Sequence, residues 1–506
     1  MRVAKVPKEL TDLQESERQM PGGYPRHRFV LLLVILVLLV ATIGLAQRFA
    51  ASVKGPAISE ATIEGDFAMK LSYAYRRWTS SGSVETDRKQ RVEDFEDVQR
   101  QLAVSLYRRA VRDNPSPGNV RRLIIVEDPS DRRQAIEELS KAVSESRAGG
   151  FGDARLPSEL VMWRDVYLGA DELTHEEASD YERRIRVLEL GWYEHLALAD
   201  LFERTGSAVR ADEERDAAAR AAGRTIGQIA AVLTVLILLG MTGAVLIVWY
   251  VAGKIRGQPD GRNEVSELSP YDRDLVAGCL LEVFLVYLGI VLGTQMAAGT
   301  VLGLGAVGEV ELGRTDTAFV TTGVYVLAGV LSVVYLAFRL RGAGWRWQIV
   351  GLITKDPVRD VIWGIGGYAA ALPLLAIAGV FSQILGRYVQ TPPNPIVSLF
   401  TETETLFGRL VLLGLVVVAA PFFEELFFRG VLYGSFRKRW GVSAGIVLSA
   451  VVFAAVHPLP VGFLPIFVLG CVFAILLRER GSLLPAVVAH GMNNAVAFAL
   501  LLILMR

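Results

Sequence analysis

Hydrophobic and polar positions follow two different patterns along this chain. Apolar runs recur at residues 29–46, 226–251, 275–296, 317–338, 361–385, 407–428, 441–456, 461–477 and 483–504. Each is near, or somewhat short of, the roughly 20 residues a helix needs to cross a bilayer, so about nine spans are expected. The two runs within 441–477 are the shortest. Residues 47–224 read differently, being rich in Arg, Glu, Asp and Ala with no run of that length. There, apolar residues recur at helical spacing among charges over 95–112, 132–143, 175–190 and 192–222, as in helices with one buried face. The expected fold is all-α: a polytopic transmembrane helical bundle with a helical soluble domain inserted between the first and second spans.

The order that follows is an N-terminal tail over 1–28, an anchor over 29–46, the inserted domain over 47–224, accessory membrane helices over 226–345 and a last membrane domain over 346–506. The first apolar run follows Arg26, His27 and Arg28 and leads to no small-residue cleavage pattern, which favours an uncleaved anchor over a signal peptide. Lys and Arg gather before the first span, at Lys254, Arg256 and Arg262, between Arg339 and Arg359, at Arg437, Lys438 and Arg439, and at Arg478 and Arg480. Every second loop is therefore basic. The loops between carry Glu309, Glu311, Glu402 and Glu404 instead. Basic loops resist translocation, so the expected location is a cell membrane, with the N-terminus cytoplasmic and the insert and Arg506 outside.

Composition adds little to this picture. Hydrophobic residues make up 52% of the 506, and Lys plus Arg equals Asp plus Glu at 53 each, so there is no charge excess to attract nucleic acid. The bilayer is the expected partner. Cys279 and Cys471 both fall in apolar runs, where a packed thiol is the plainer reading than a disulfide. His175 and His195 in the insert lack Cys or carboxylate neighbours at metal-ligand spacing.

Chemistry enters in the last four spans, where ionisable residues sit at depths that make them costly and hence candidates for function. Glu424 and Glu425 are adjacent and project about 100° apart on a helix, while Arg429 follows Glu425 by one turn on the same face. Glu425 and Arg429 can pair, either as a structural salt bridge or as part of a site, and Glu424 is left without a local partner. A carboxylate held between desolvation and a nearby guanidinium can be poised as a base for water. His457 ends the run 441–456. His490 and Asn494 share one helical face in the last span, a spacing suited to two donors aimed at one oxyanion. Counted from the basic loops, Glu424 and His490 fall at intermediate depth and His457 nearer the far side, a mismatch that a tilted helix or a break at Pro458 would have to absorb.

Three ordered motifs carry a family resemblance: Glu-Glu-x-x-x-Arg at 424–429, Phe-x-x-x-His at 453–457 and His-x-x-x-Asn at 490–494, the last preceded by Gly-Ser-Leu-Leu-Pro at 481–485. Over residues 358–506 the chain resembles the CAAX-processing and bacteriocin-processing intramembrane proteases, and is similar to the type II prenyl-protein endopeptidases. The resemblance implies that Glu424 and His457 position and activate the attacking water. It likewise implies that Glu425 and Arg429 hold that arrangement and that His490 and Asn494 stabilise the oxyanion. The implied substrate is a membrane-associated peptide or protein, lipidated in the family's name-giving case. A metal-free glutamate mechanism without cofactor is favoured over a divalent metal such as zinc, because no His-Glu-x-x-His occurs. Glu424, His457 and His490 nonetheless form the alternative ligand set. Two other functions compete: a non-catalytic peptide-binding or immunity protein on the same fold, and an ion-coupled transporter, against which no paired halves are evident.

Overall fold

The computed structural model describes residues 25–505 except 53–59, 81–85, 114–115, 129, 138–139, 141–155, 170–172, 189, 258–269, 308–313, 387, 389–396, 398, 401–402, 404 and 458–460. Glu309, Glu311, Glu402, Glu404, Arg262 and Pro458, invoked above, lie outside the described residues, as do positions 1–24. The described residues form a helical, polytopic bundle without strands. In chain order the helices are α1 Arg26–Ser52, α2 Glu60–Ser80, α3 Thr86–Asp113, α4 Pro117–Val126, α5 Leu156–Leu168, α6 His175–Val187, α7 Trp192–Arg204 and α8 Ala208–Ile255. After them come α9 Pro270–Val307, α10 Arg314–Gly342, α11 Pro357–Gly386, α12 Leu406–Trp440, α13 Val442–Ala455, α14 Phe463–Arg480 and α15 Leu484–Leu504.

Seven of these are long and apolar enough to cross a membrane: α1, α8, α9, α10, α11, α12 and α15. The other two expected spans are α13 and α14. Helix α13 has only 14 residues, about 21 Å at 1.5 Å per residue, and α14 ends in Arg478, Glu479 and Arg480.

The described residues of 60–222 pack around a core with Trp163, Tyr107, Ile124, Ile136 and Met162 fully buried. At its centre Asp66 accepts hydrogen bonds from Tyr107 Oη (2.7 Å), Tyr193 Oη (3.0 Å) and Arg122 Nε (3.1 Å). Burial beside that carboxylate pushes both phenols well above their usual range. Helix α2 was not foreseen in the sequence: its buried positions include Ala61, Thr62, Ala68, Lys70, Ser72 and Ala74, small or polar residues that barely raise a periodic signal. The run 192–222 proves to be two helices, because Gly206 takes a left-handed φ of 69° and ends α7 before α8 begins. Helix α8 then continues for 48 residues, about 72 Å, and carries the insert core directly into the membrane bundle. Gly243 brings its backbone against α11, where a Cβ would meet the Ala369 carbonyl at 1.9 Å. Such close crossings of small residues hold membrane helices together.

The ends of the helices sort into two groups. Arg439 pairs with Asp274 (2.8 Å), Arg339 with Glu282 (2.8 Å), Arg480 with Asp360 (2.7 Å) and Lys254 with Glu479 (3.1 Å), all at one end of the bundle. At the opposite end, Lys70 Nζ of the insert donates to the Leu504 carbonyl at 3.0 Å, and Ile503 and Leu504 join the insert core.

Candidate active site

The site begins with an irregularity in α12. Two stretches of this helix, Leu415–Ala419 and Leu426–Tyr433, widen into π-type turns, a distortion found disproportionately at functional sites. Pro421 stands between them. It has no N–H to return to the preceding turn, so a carbonyl there needs a partner from elsewhere. Asn494 of α15 supplies one, its Nδ2 donating to the Val416 carbonyl at 2.9 Å. Gly491 allows the approach, since a Cβ there would stand 2.8 Å from the Val417 carbonyl.

Between the two widened stretches lie Glu424 and Glu425. Glu425 is fully buried, with Oε2 3.1 Å from Arg429 Nε and Oε1 2.8 Å from His490 Nδ1. Arg429 is 1% exposed and sits in an aromatic box, its guanidinium carbon 4.0 Å from the Phe453 ring centroid and 5.1 Å from that of Phe473. Cation–π contact there complements the pairing to Glu425. His490 stacks on Phe473, centroids 5.1 Å apart, and meets Phe453 edge-on. With Nδ1 turned to Glu425, His490 presents Nε2 toward Glu424 Oε2 at 3.8 Å. The other Glu424 oxygen, Oε1, accepts from Tyr325 Oη of α10 at 3.1 Å.

His457 follows α13 and turns its Nδ1 to the Phe453 carbonyl at 2.6 Å. A carbonyl can only accept, so Nδ1 carries the proton and Nε2 is left as the free lone pair of the neutral ring. Phe453 packs edge-on against both His457 and His490, and Glu424, His490 and Arg429 are within electrostatic reach of His457. The depth mismatch expected from the sequence therefore does not arise. Helices α12 and α13 form a hairpin about Gly441 (φ 88°), and Glu424 and His457 stand at nearly equal counts from that turn. Helix α13 stops at the level of the site instead of running on to the far surface. Gly445 lets the hairpin close, because a Cβ there would lie 2.9 Å from the Arg437 backbone.

All six residues singled out in the sequence thus lie in one neighbourhood, with Glu425, Arg429 and His490 in direct contact. Asn494 joins them through α12's backbone, and among the described residues His457 hydrogen-bonds to the Phe453 carbonyl and not directly to Glu424.

Residues 406–496 match the family model of the type II CAAX prenyl endopeptidase Rce1-like proteins. The resemblance expected from the three motifs is borne out over that segment, which runs from α12 into α15 and holds all six residues. The chain is also 26% identical over 165 residues to an uncharacterized 24.3 kDa protein of Escherichia coli, a stretch covering 32% of this chain and 70% of that one. No solved structure matches the chain significantly.

Tyr325 lies outside the Rce1-like segment, on a helix about a hundred residues upstream, and no local motif marks it. Sequence reasoning missed it for that reason. A zinc ion would need three converging donors. Among the described residues no group of three or more His, Cys, Asp or Glu is arranged to hold a metal, and Glu425 already serves Arg429 and His490. As placed, Glu424, His457 and His490 do not form such a group.

Proposed function

We propose that this chain is an intramembrane endopeptidase that hydrolyses a peptide bond of a membrane-associated substrate with a glutamate-activated water. The observation that carries the reading is the Glu424, His490, Glu425 and Arg429 chain of contacts inside the Rce1-like segment. Buried charge on this scale is expensive in lipid and is ordinarily retained for function.

In this reading a water rests between Glu424 Oε2 and His490 Nε2. Their 3.8 Å gap is too wide for a hydrogen bond but lets one water reach both at about 2.8 Å. Glu424 takes a proton from that water as its oxygen attacks the scissile carbonyl carbon, and the π electrons pass to the carbonyl oxygen. The lone pair at His457 Nε2 helps to orient the water. Glu425, fixed by Arg429, holds His490 by Nδ1 and so keeps Nε2 turned toward the site of the developing oxyanion. Asn494 uses one amide hydrogen on Val416, and its second serves the same oxyanion. Collapse of the intermediate breaks the C–N bond, and the departing amine takes the proton from Glu424.

The test is turnover of a membrane-anchored peptide library by purified wild type, Glu424→Gln and Asn494→Ala, each with and without a strong chelator. Glu424→Gln should abolish cleavage in a protein that still inserts and folds. Asn494→Ala should retain residual activity, about 100- to 1000-fold down, as for loss of one oxyanion donor. Wild-type rates in Glu424→Gln would remove the base. Binding of peptides without cleavage by wild type would favour the non-catalytic binding reading, and chelator-sensitive cleavage restored by zinc would make these residues metal ligands.

A further inference from the structure

We propose that Tyr325, on a helix outside the Rce1-like segment, is a positioning residue for Glu424, an inference that rests on the endopeptidase reading above. Two independent observations meet here. The first is the hydrogen bond from Tyr325 Oη to Glu424 Oε1 at 3.1 Å. The second lies one turn along the same face of α10. Gly329 has no side chain where a Cβ would stand 2.7 Å from the Phe423 ring, and Phe423 immediately precedes Glu424. The missing side chain draws α10 against α12 at the level of the carboxylate, and the Tyr325 and Phe423 rings meet edge-on with centroids 6.5 Å apart.

The consequence concerns which oxygen is free. A carboxylate on a two-carbon stem can rotate, and either oxygen could then face His490. With Oε1 held by the phenol, only Oε2 faces His490 Nε2, so the base is aimed before substrate arrives. Preorganisation of this kind lowers the barrier to the chemical step and leaves ground-state binding alone. Tyr325 touches neither water nor substrate in this arrangement and acts only through Glu424. The helices ahead of the family segment therefore supply a part of the site that the segment's own motifs lack.

Tyr325→Phe removes the hydroxyl and keeps the ring. Losing one hydrogen bond to a charged group should lower kcat by about 10- to 100-fold, with KM held within about twofold. The control is Tyr335→Phe. Tyr335 lies on the same helix, ten residues on from Tyr325, and its hydroxyl makes no hydrogen bond among the described residues, so its loss should leave kcat within about twofold. Thermal unfolding of each variant in detergent is measured alongside. An unchanged kcat in Tyr325→Phe, a rise in KM alone, an equal loss in Tyr335→Phe, or a loss that merely follows reduced thermal stability would each overturn the positioning role. Glu424→Gln in the same assay separates the two ideas: if it cleaves normally the endopeptidase reading has failed, whereas if it is dead and Tyr325→Phe is normal only the positioning role has failed.

Discussion

Arg429 shows how one side chain can be both legible and incompletely legible. Its pairing with Glu425 follows from i,i+4 spacing on an apolar helix, and the structure has that pair at 3.1 Å with both groups essentially unexposed. The aromatic box does not follow from spacing, because Phe453 and Phe473 come from other helices. Nor does the His490 contact, which gives Glu425 a second client and leaves Glu424 to face Nε2. Removing one member of a buried ion pair strands the other, at a cost of about 3–5 kcal/mol. Arg429→Met should therefore lower the thermal midpoint sharply. Adding Glu425→Gln, which discharges the stranded carboxylate, should recover a substantial part of that stability without recovering cleavage. Measured by unfolding in detergent, an additive double mutant would mean that the two residues are not coupled and that the pair contributes little.

Among elements, the motif order located three membrane segments of the site, α12, α13 and α15, but not their deformation. A helix read from periodicity alone is straight and fully bonded, so the widened turns around Pro421 and the bond from Asn494 to Val416 had no signature beyond the proline itself. The short span α13 was legible as short, yet its consequence was not: ending early is what brings His457 level with Glu424. Helix α15 meets α12 closely at Gly491, where added atoms would face the Val417 carbonyl at 2.8 Å. That neighbour is backbone and cannot swing away. Gly491→Val should push α15 outward, carrying His490 from Glu425 and Asn494 from Val416, with loss of cleavage and a lowered thermal midpoint. Cleavage at wild-type rates in Gly491→Val would show that the close helix contact is not needed to hold the site.

On the scale of the whole molecule, the charged loops and the insert divide between the two ends of the bundle. Alternation of basic loops was readable from the sequence, and the structure gathers Arg439, Arg339, Arg480 and Lys254 with their acidic partners at one end of the bundle. The insert stands at the other end, tied to the C-terminus of α15 by Lys70 and the Leu504 carbonyl. That tie had no sequence signal, since its partners are 434 residues apart, and burial there lowers Lys70 below the usual ammonium range. The contacts fix the insert and Leu504 on one side, whichever side that is. Basic loops stay cytoplasmic because Lys and Arg oppose translocation, so the end bearing Lys355 should be cytoplasmic and the end bearing Glu176 external. In a background with Cys279 and Cys471 replaced by Ala, Glu176→Cys in right-side-out vesicles should react with a membrane-impermeant maleimide. Lys355→Cys should react only after the vesicles are opened. The reverse pattern would invert the orientation, and labelling of both from outside would mean that the two ends of the bundle do not face opposite sides of a membrane.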